Sequence, residues 1–176
     1  MTIDDYLSGP EEMRRRELVW GVVREPPSPF APHQHVITRV TVLLDTHVRE
    51  HDLGSVLVSP MDVVLDERKA LVVQPDVMFI SHARAGIIRD FVWGAPDLVV
   101  EVAPRGTARY DSGAKLGWYR TYNVLECWLV DPEHHAVRVV NLQGPEDGAG
   151  RSFRSNERVC SPVLPRFEQA ASEFFT

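Results

Sequence analysis

Two stretches constrain this chain more than any others: VVQPDVMFI (72–80) and DLVVEVA (97–103). Both are dominated by Val, Leu, Ile, Met and Phe and read as buried strands, yet each encloses a carboxylate, Asp76 in one and Glu101 in the other. An unpaired charge in such surroundings costs several kcal/mol on burial, so something must compensate both groups. If the two runs are neighbours in one sheet, directly opposed side chains have Cβ atoms about 5 Å apart, close enough to share one divalent cation. A hard ion such as Mg²⁺ (or Mn²⁺) resolves the like-charge repulsion. Carboxylates at strand ends in water, or paired with arginines, are the alternative that these two residues leave open.

The remaining segments alternate between helix and strand signals. From His33 to His51 the apolar positions Val36, Val40, Leu43, Leu44 and Val48 recur at three- and four-residue steps, one face of an amphipathic helix. PPSPFAP (26–32) before it is a loop, because proline neither continues a helix nor donates to a ladder. Thr2 and Asp5 mark a possible helix start that Gly9-Pro10 ends. ELVWGVVRE (17–25) is strand-like, and the two β-rich runs of 54–80 about DERKA read as a hairpin. Residues 81–94 form a loop or short helix. Asp111 is placed to cap a helix through Lys115, Trp118, Tyr119 and Tyr122, and ECWLVDP and AVRVVNL are two further strands. QGPEDGAGRS (143–152) is turn-rich, and FEQAASEFF has helical spacing. The expected fold class is α/β or α+β, with a mixed central β-sheet flanked by helices.

A length of 176 residues with 44% hydrophobic content suits one domain, 1–176. Cys127 and Cys160 lie far apart with no metal or disulfide spacing, the N-terminus is charged, and no run approaches a membrane span. These features place the expected protein in the cytoplasm, away from membranes. A net charge of −6 argues against a protein that coats nucleic acid nonspecifically, since such binding needs Lys and Arg to displace counterions. It leaves room for a small basic or metal-filled site.

Lys115 is the third notable residue. In the first turn of the helix that Asp111 would cap, its cation opposes the helix dipole, which suggests another reason for it. A lysine beside two metal-binding carboxylates suits phosphodiester hydrolysis, where a cation holds the scissile phosphate and orients the attacking water.

Taken in order, ELVWGVV, a histidine after the proline-rich loop, QPDVMFI, APDLVVEV, an aspartate followed by three residues and a lysine, a tyrosine, and VLECWLVDP resemble the Uma-two family of restriction-endonuclease-like proteins. The resemblance runs from Glu17 to Pro165 and implies the PD-(D/E)XK nuclease superfamily, with its metal site at the fork of the central strands. It implies that Asp76 and Glu101 bind the metal, with the backbone carbonyl of Val102 as a further ligand. Ala103 stands where the superfamily's usual lysine would be, and Lys115 looks like its relocated substitute. Glu17 matches an acidic residue that completes or water-bridges the site, and His33 matches the histidine at the start of the long helix, facing substrate phosphate or serving the helix start. Asp97 shares the strand parity of Glu101 and is expected to be structural. The chain departs from the family at APRGT and at Val22.

Arg105, Arg109 and Arg120 form an expected phosphate-binding patch, and Trp118 and Tyr119 either stack on a base or fill the core. Together these readings point to a metal-dependent endodeoxyribonuclease acting on DNA, with duplex scission favouring a homodimer. A nuclease-like fold that binds nucleic acid or a protein without cutting is the alternative. A Ser or Cys hydrolase lacks both a GxSxG elbow and a convincing Cys/His pair.

Overall fold

A short N-terminal helix, α1 (Ile3–Leu7), is closed by a reciprocal capping box, with Thr2 accepting from the Asp5 N–H and Asp5 accepting from the Thr2 N–H. The structure, a computed structural model, describes residues 1–9, 15–26, 28–103, 110–145 and 150–176, with side chains from 113 onward in the helix that begins at Tyr110. In chain order there follow β1 (Glu17–Val19), β2 (Val22–Arg24), α2 (Ala31–Glu50), β3 (Gly54–Val58), β4 (Val63–Asp66), β5 (Leu71–Val73) and β6 (Val77–Ser81). After a 3-10 turn (His82–Ile87) come β7 (Val92–Trp93), β8 (Leu98–Val102), α3 (Tyr110–Thr121), β9 (Glu126–Asp131), β10 (Ala136–Asn141) and β11 (Arg151–Arg154), and a 3-10 turn, Ala171–Phe174.

The strands form two mixed sheets, where the sequence suggested a single central one. The larger has the order β11-β10-β9-β8-β6-β3, with β8 and β9 parallel; the smaller has the order β2-β1-β5-β4-β7, with β4 and β7 parallel. The second sheet arises where the sequence looked simplest. ELVWGVV breaks at Trp20-Gly21, both at positive φ, into the tight hairpin β1/β2. Residues 54–80 likewise yield four strands: β4 and β5 make the hairpin about DERKA, while β3 and β6 pair with each other in the larger sheet. The FEQAASEFF segment keeps only its 3-10 turn, because Ala170 bridges Arg158.

Side-chain alternation along the larger sheet divides the interior into two layers. Val77, Phe79, Leu98, Val100, Val102 and Trp128 face α2, whose Val36, Val40, Leu44 and Val48 are all buried. Each such residue contributes about 1.5–3 kcal/mol on full burial, enough to anchor the helix on the sheet. Met78, Ile80, Val99 and Cys127 face the other way, toward Val19, Leu71 and Val73 of the smaller sheet and Tyr119 of α3. By parity Asp76 and Glu101 belong to this second layer, between the sheets and under α3.

Candidate active site

The last registered pair of β6 and β8 is Val77 with Val100, so the next residues outward, Asp76 and Glu101, stand opposite each other. Asp76 is almost completely buried. Its Oδ2 accepts from the backbone N–H of Val102 at 2.7 Å, and its Oδ1 from Nη1 of Arg15 at 2.6 Å. Arg15 also donates through Nη2 to the carbonyl of Gln74, and the same nitrogen lies 3.5 Å from Oε2 of Glu101. The two carboxylates therefore converge on one cation, and that cation is a guanidinium.

Glu101 has a second cation. Lys115 Nζ lies 3.1 and 3.3 Å from its two oxygens and 2.6 Å from Oε1 of Glu17. Glu17, the first residue of β1, also accepts from the backbone N–H of Gln74 at 3.0 Å, so the smaller sheet contributes directly to the site. Tyr119, one turn beyond Lys115 on α3 and fully buried, donates to Oε1 of Glu101 at 2.5 Å. Gln74 extends the network through its side-chain N–H to Asp62, which also accepts from Tyr6 of α1.

Environment splits the two carboxyl groups. Burial pushes Asp76 above the ordinary carboxylate range, Arg15 pulls it back, and Glu101 adds to the rise. Burial acts on Glu101 too, but Lys115, then Arg15 and the Tyr119 hydroxyl outweigh it and hold the group below its ordinary value. Burial would lower Lys115, yet Glu101 and Glu17 overcome this and keep its ammonium charged. Tyr119 is held neutral far above its usual range, first by burial and then by Glu101, so it acts as a donor.

His33, in the first turn of α2, reaches the same corner from the opposite layer. Its Nε2 is 3.1 Å from the carbonyl of Val102 and 3.7 Å from Oδ2 of Asp76, so the ring donates to the carbonyl that the family resemblance marks as a ligand. Lys115 lies in the second turn of α3, where the dipole of the first turn is no longer a strong argument; its ion pairs with Glu101 and Glu17 give the reason for a lysine. Asp97 stands at the opposite end of β8, accepting from the Ser81 N–H at 2.7 Å with Arg84 nearby, a structural arrangement. Arg120 donates to the carbonyls of Leu142 and Gly144, which turns it away from a phosphate patch. Arg105, Arg109 and the side chain of Asp111 lie outside the described residues.

Arg15 was not foreseen from the sequence, although a signal exists. It stands two residues before Glu17, so an extended chain places both side chains on one face. Tyr119 was foreseen only as a core or stacking residue.

A metal ion suits the donor set, though not as a closed protein cage. Among the described residues no group of three or more His, Cys, Asp and Glu side chains is arranged to hold an ion. Two carboxylate oxygens and the Gln74 carbonyl do converge on the positive charge of Arg15. One or two carboxylates with carbonyl or water oxygens is the kind of partial shell that Mg²⁺ accepts.

A mixed-sheet α+β scaffold with carboxylates at the fork of its central strands defines a restriction-endonuclease-like protein. The sequence model of the Uma2 family, described as "Putative restriction endonuclease", matches residues 3–172, and the chain belongs to that family. In fold it is similar to a crystal structure described as that of a "putative nuclease belonging to DUF820" from Anabaena variabilis ATCC 29413. The TM-score is 0.80 and the identity 16%, over 99% of this chain and 97% of that one. No curated protein matches the chain at a significant level. No helix among the described residues is long and apolar enough to cross a membrane.

Proposed function

We propose that this chain is a divalent-metal-dependent endonuclease that hydrolyses phosphodiester bonds of DNA. The observation that carries the reading is the convergence of Asp76 and Glu101, from adjacent strands, on a single positive charge, with Lys115 beside them. Membership of a family described as "Putative restriction endonuclease" supports it.

In this reading Asp76 and Glu101 hold Mg²⁺ or Mn²⁺, together with a backbone carbonyl, that of Val102 or of Gln74. When bound, the ion would supply an activated water and neutralise charge on the phosphate. The chain's own residues do the rest. Lys115 stays protonated between Glu101 and Glu17 and is placed to bind a non-bridging phosphate oxygen and orient the nucleophile. Tyr119 fixes the rotamer of Glu101 by donating to Oε1 and leaves Oε2 for the ion. His33 orients the Val102 carbonyl and stands next to Asp76. Glu17 anchors Lys115. Cutting both strands of a duplex with one site per chain would call for two copies, related by a two-fold axis.

The test is cleavage of plasmid and single-stranded DNA with Mg²⁺ or Mn²⁺ by the wild type, Asp76→Asn and Lys115→Met. Activity in the wild type that falls at least about 10²-fold in each variant is expected, in line with the usual loss of a charge-stabilising group. Undiminished cleavage by Asp76→Asn would remove the assignment. DNA binding without cleavage by the wild type would support instead a binding module that keeps the nuclease fold.

A further inference from the structure

We infer that Arg15 is a built-in counter-cation of the proposed metal site, occupying the ion's place and yielding it only in competition. The inference rests on the metal reading above and adds a control that the reading does not require.

Three observations carry it. Oδ1 of Asp76 and Oε2 of Glu101 both end on the Arg15 guanidinium, at 2.6 and 3.5 Å, and the carbonyl of Gln74 accepts from it as well. An ion held by these two carboxylates would have to enter the space the guanidinium fills.

Formal charge favours exchange over coexistence. Among the described Asp, Glu, Lys and Arg side chains, Asp76, Glu101 and Glu17 face Arg15 and Lys115, one positive charge short of neutrality. A divalent ion added beside both cations overshoots by one charge, whereas an ion in place of Arg15 balances the site. Repulsion between the ion and a guanidinium at contact distance acts in the same direction.

Attachment makes withdrawal feasible. Arg15 lies before β1, outside any strand, and its side chain is 25% exposed, against 2% for Asp76 and 13% for Glu101, which the larger sheet holds. Its Nε is buried and has no hydrogen-bond partner among the described residues, so retreat toward solvent gains a bond for that nitrogen. Holding the carboxylates with an internal cation keeps repulsion from driving them apart in the metal-free site, and it weakens the apparent affinity for the ion.

Calorimetric titration of Mn²⁺ and Mg²⁺ into the full chain tests this, comparing wild type, Arg15→Gln, Arg15→Lys and Asp76→Asn, with the melting temperature of each recorded without and with ion. Arg15→Gln is expected to bind Mn²⁺ at least about tenfold more tightly than wild type, a difference of about 1.4 kcal/mol. It should also melt lower without the ion and regain the loss when the ion is added. If Arg15→Gln does not fold without metal, Arg15→Lys decides. A lysine keeps the charge but lacks the fork that spans two carboxylates, so its affinity should lie above that of wild type. Equal or weaker binding in the folded Arg15 variants, with binding lost in Asp76→Asn, overturns the inference and leaves the metal reading standing. Absence of binding in wild type and Arg15 variants alike overturns both.

Discussion

Tyr119 shows how much of this site depends on single buried donors. Its hydroxyl donates to Glu101 at 2.5 Å from a side chain with no solvent exposure, so Tyr119→Phe leaves a carboxylate oxygen short of a partner. The expected loss is about 1–2 kcal/mol in urea unfolding, the cost of stranding a buried acceptor that Lys115 still partly satisfies. Glu126 offers a second test away from the site. It is fully buried, accepts from Ser161 Oγ at 2.5 Å and from Trp128 Nε1 at 2.7 Å, and its other oxygen has no partner among the described residues. Burial raises its pKa above the ordinary 4.5, with the bonds from Ser161 and Trp128 opposing the rise. The folded chain then holds this proton to higher pH than the unfolded chain. The associated stability is fully present below the unfolded value and is lost as pH climbs through the raised one. The stability of wild type minus that of Glu126→Gln should therefore fall with pH above 4.5, by at most about 1.4 kcal/mol per pH unit, and then level off. A difference that rises over that range would contradict the assignment.

At the scale of elements, the edge of the larger sheet depends on one glycine. Gly54 opens β3 at a φ of 154°, and a Cβ there would lie 2.1 Å from the carbonyl oxygen of Ile80 on the paired strand β6. Gly54→Ala must strain the backbone or part the two strands, and β6 leads back to Asp76. A loss of more than about 1 kcal/mol is expected, with the melting temperature dropping by about 2–4 °C for each kcal/mol. The long helix and the strand around Glu101 were legible in the sequence because their patterns are local: Val36, Val40, Leu44 and Val48 for α2, and the apolar run about Glu101 for β8, whereas the run read as one strand about Asp76 is divided between β5 of the smaller sheet and β6 of the larger, with Asp76 just before β6. The partition into two sheets was not, since which strands pair is decided by contacts distant in sequence, such as β1 with β5. The same reason hid Arg15. Its role requires knowing that the chain before β1 passes the mouth of a site built from residues 59 to 86 positions later.

At the scale of the whole molecule, the site is the seam between the sheets. Asp76 and Glu101 come from the larger sheet, Glu17 from the smaller, and Lys115 from the helix over the join. The ammonium lies 2.6 Å from Glu17 and 3.1 Å from Glu101, and the three side chains are only 10–13% exposed. Solvent therefore screens these pairs little, and Lys115 couples the packing of one sheet to that of the other. Removing it strands two carboxylates, so Lys115→Met alone should cost about 3–5 kcal/mol. Glu17→Gln should cost less, because the amide oxygen can still accept from the Gln74 N–H. In the double variant one of the stranded charges is gone, and the loss should be smaller than the sum of the two single losses by about 1–3 kcal/mol. Chemical denaturation of the four proteins, followed by tryptophan fluorescence and by far-ultraviolet circular dichroism, measures that coupling. A value within about 0.5 kcal/mol of zero would mean that Glu17 and Lys115 act independently and that this ion pair does not join the sheets. A coupling in the expected range would show that Glu17 and Lys115, members of the proposed site, also hold the two sheets in register there.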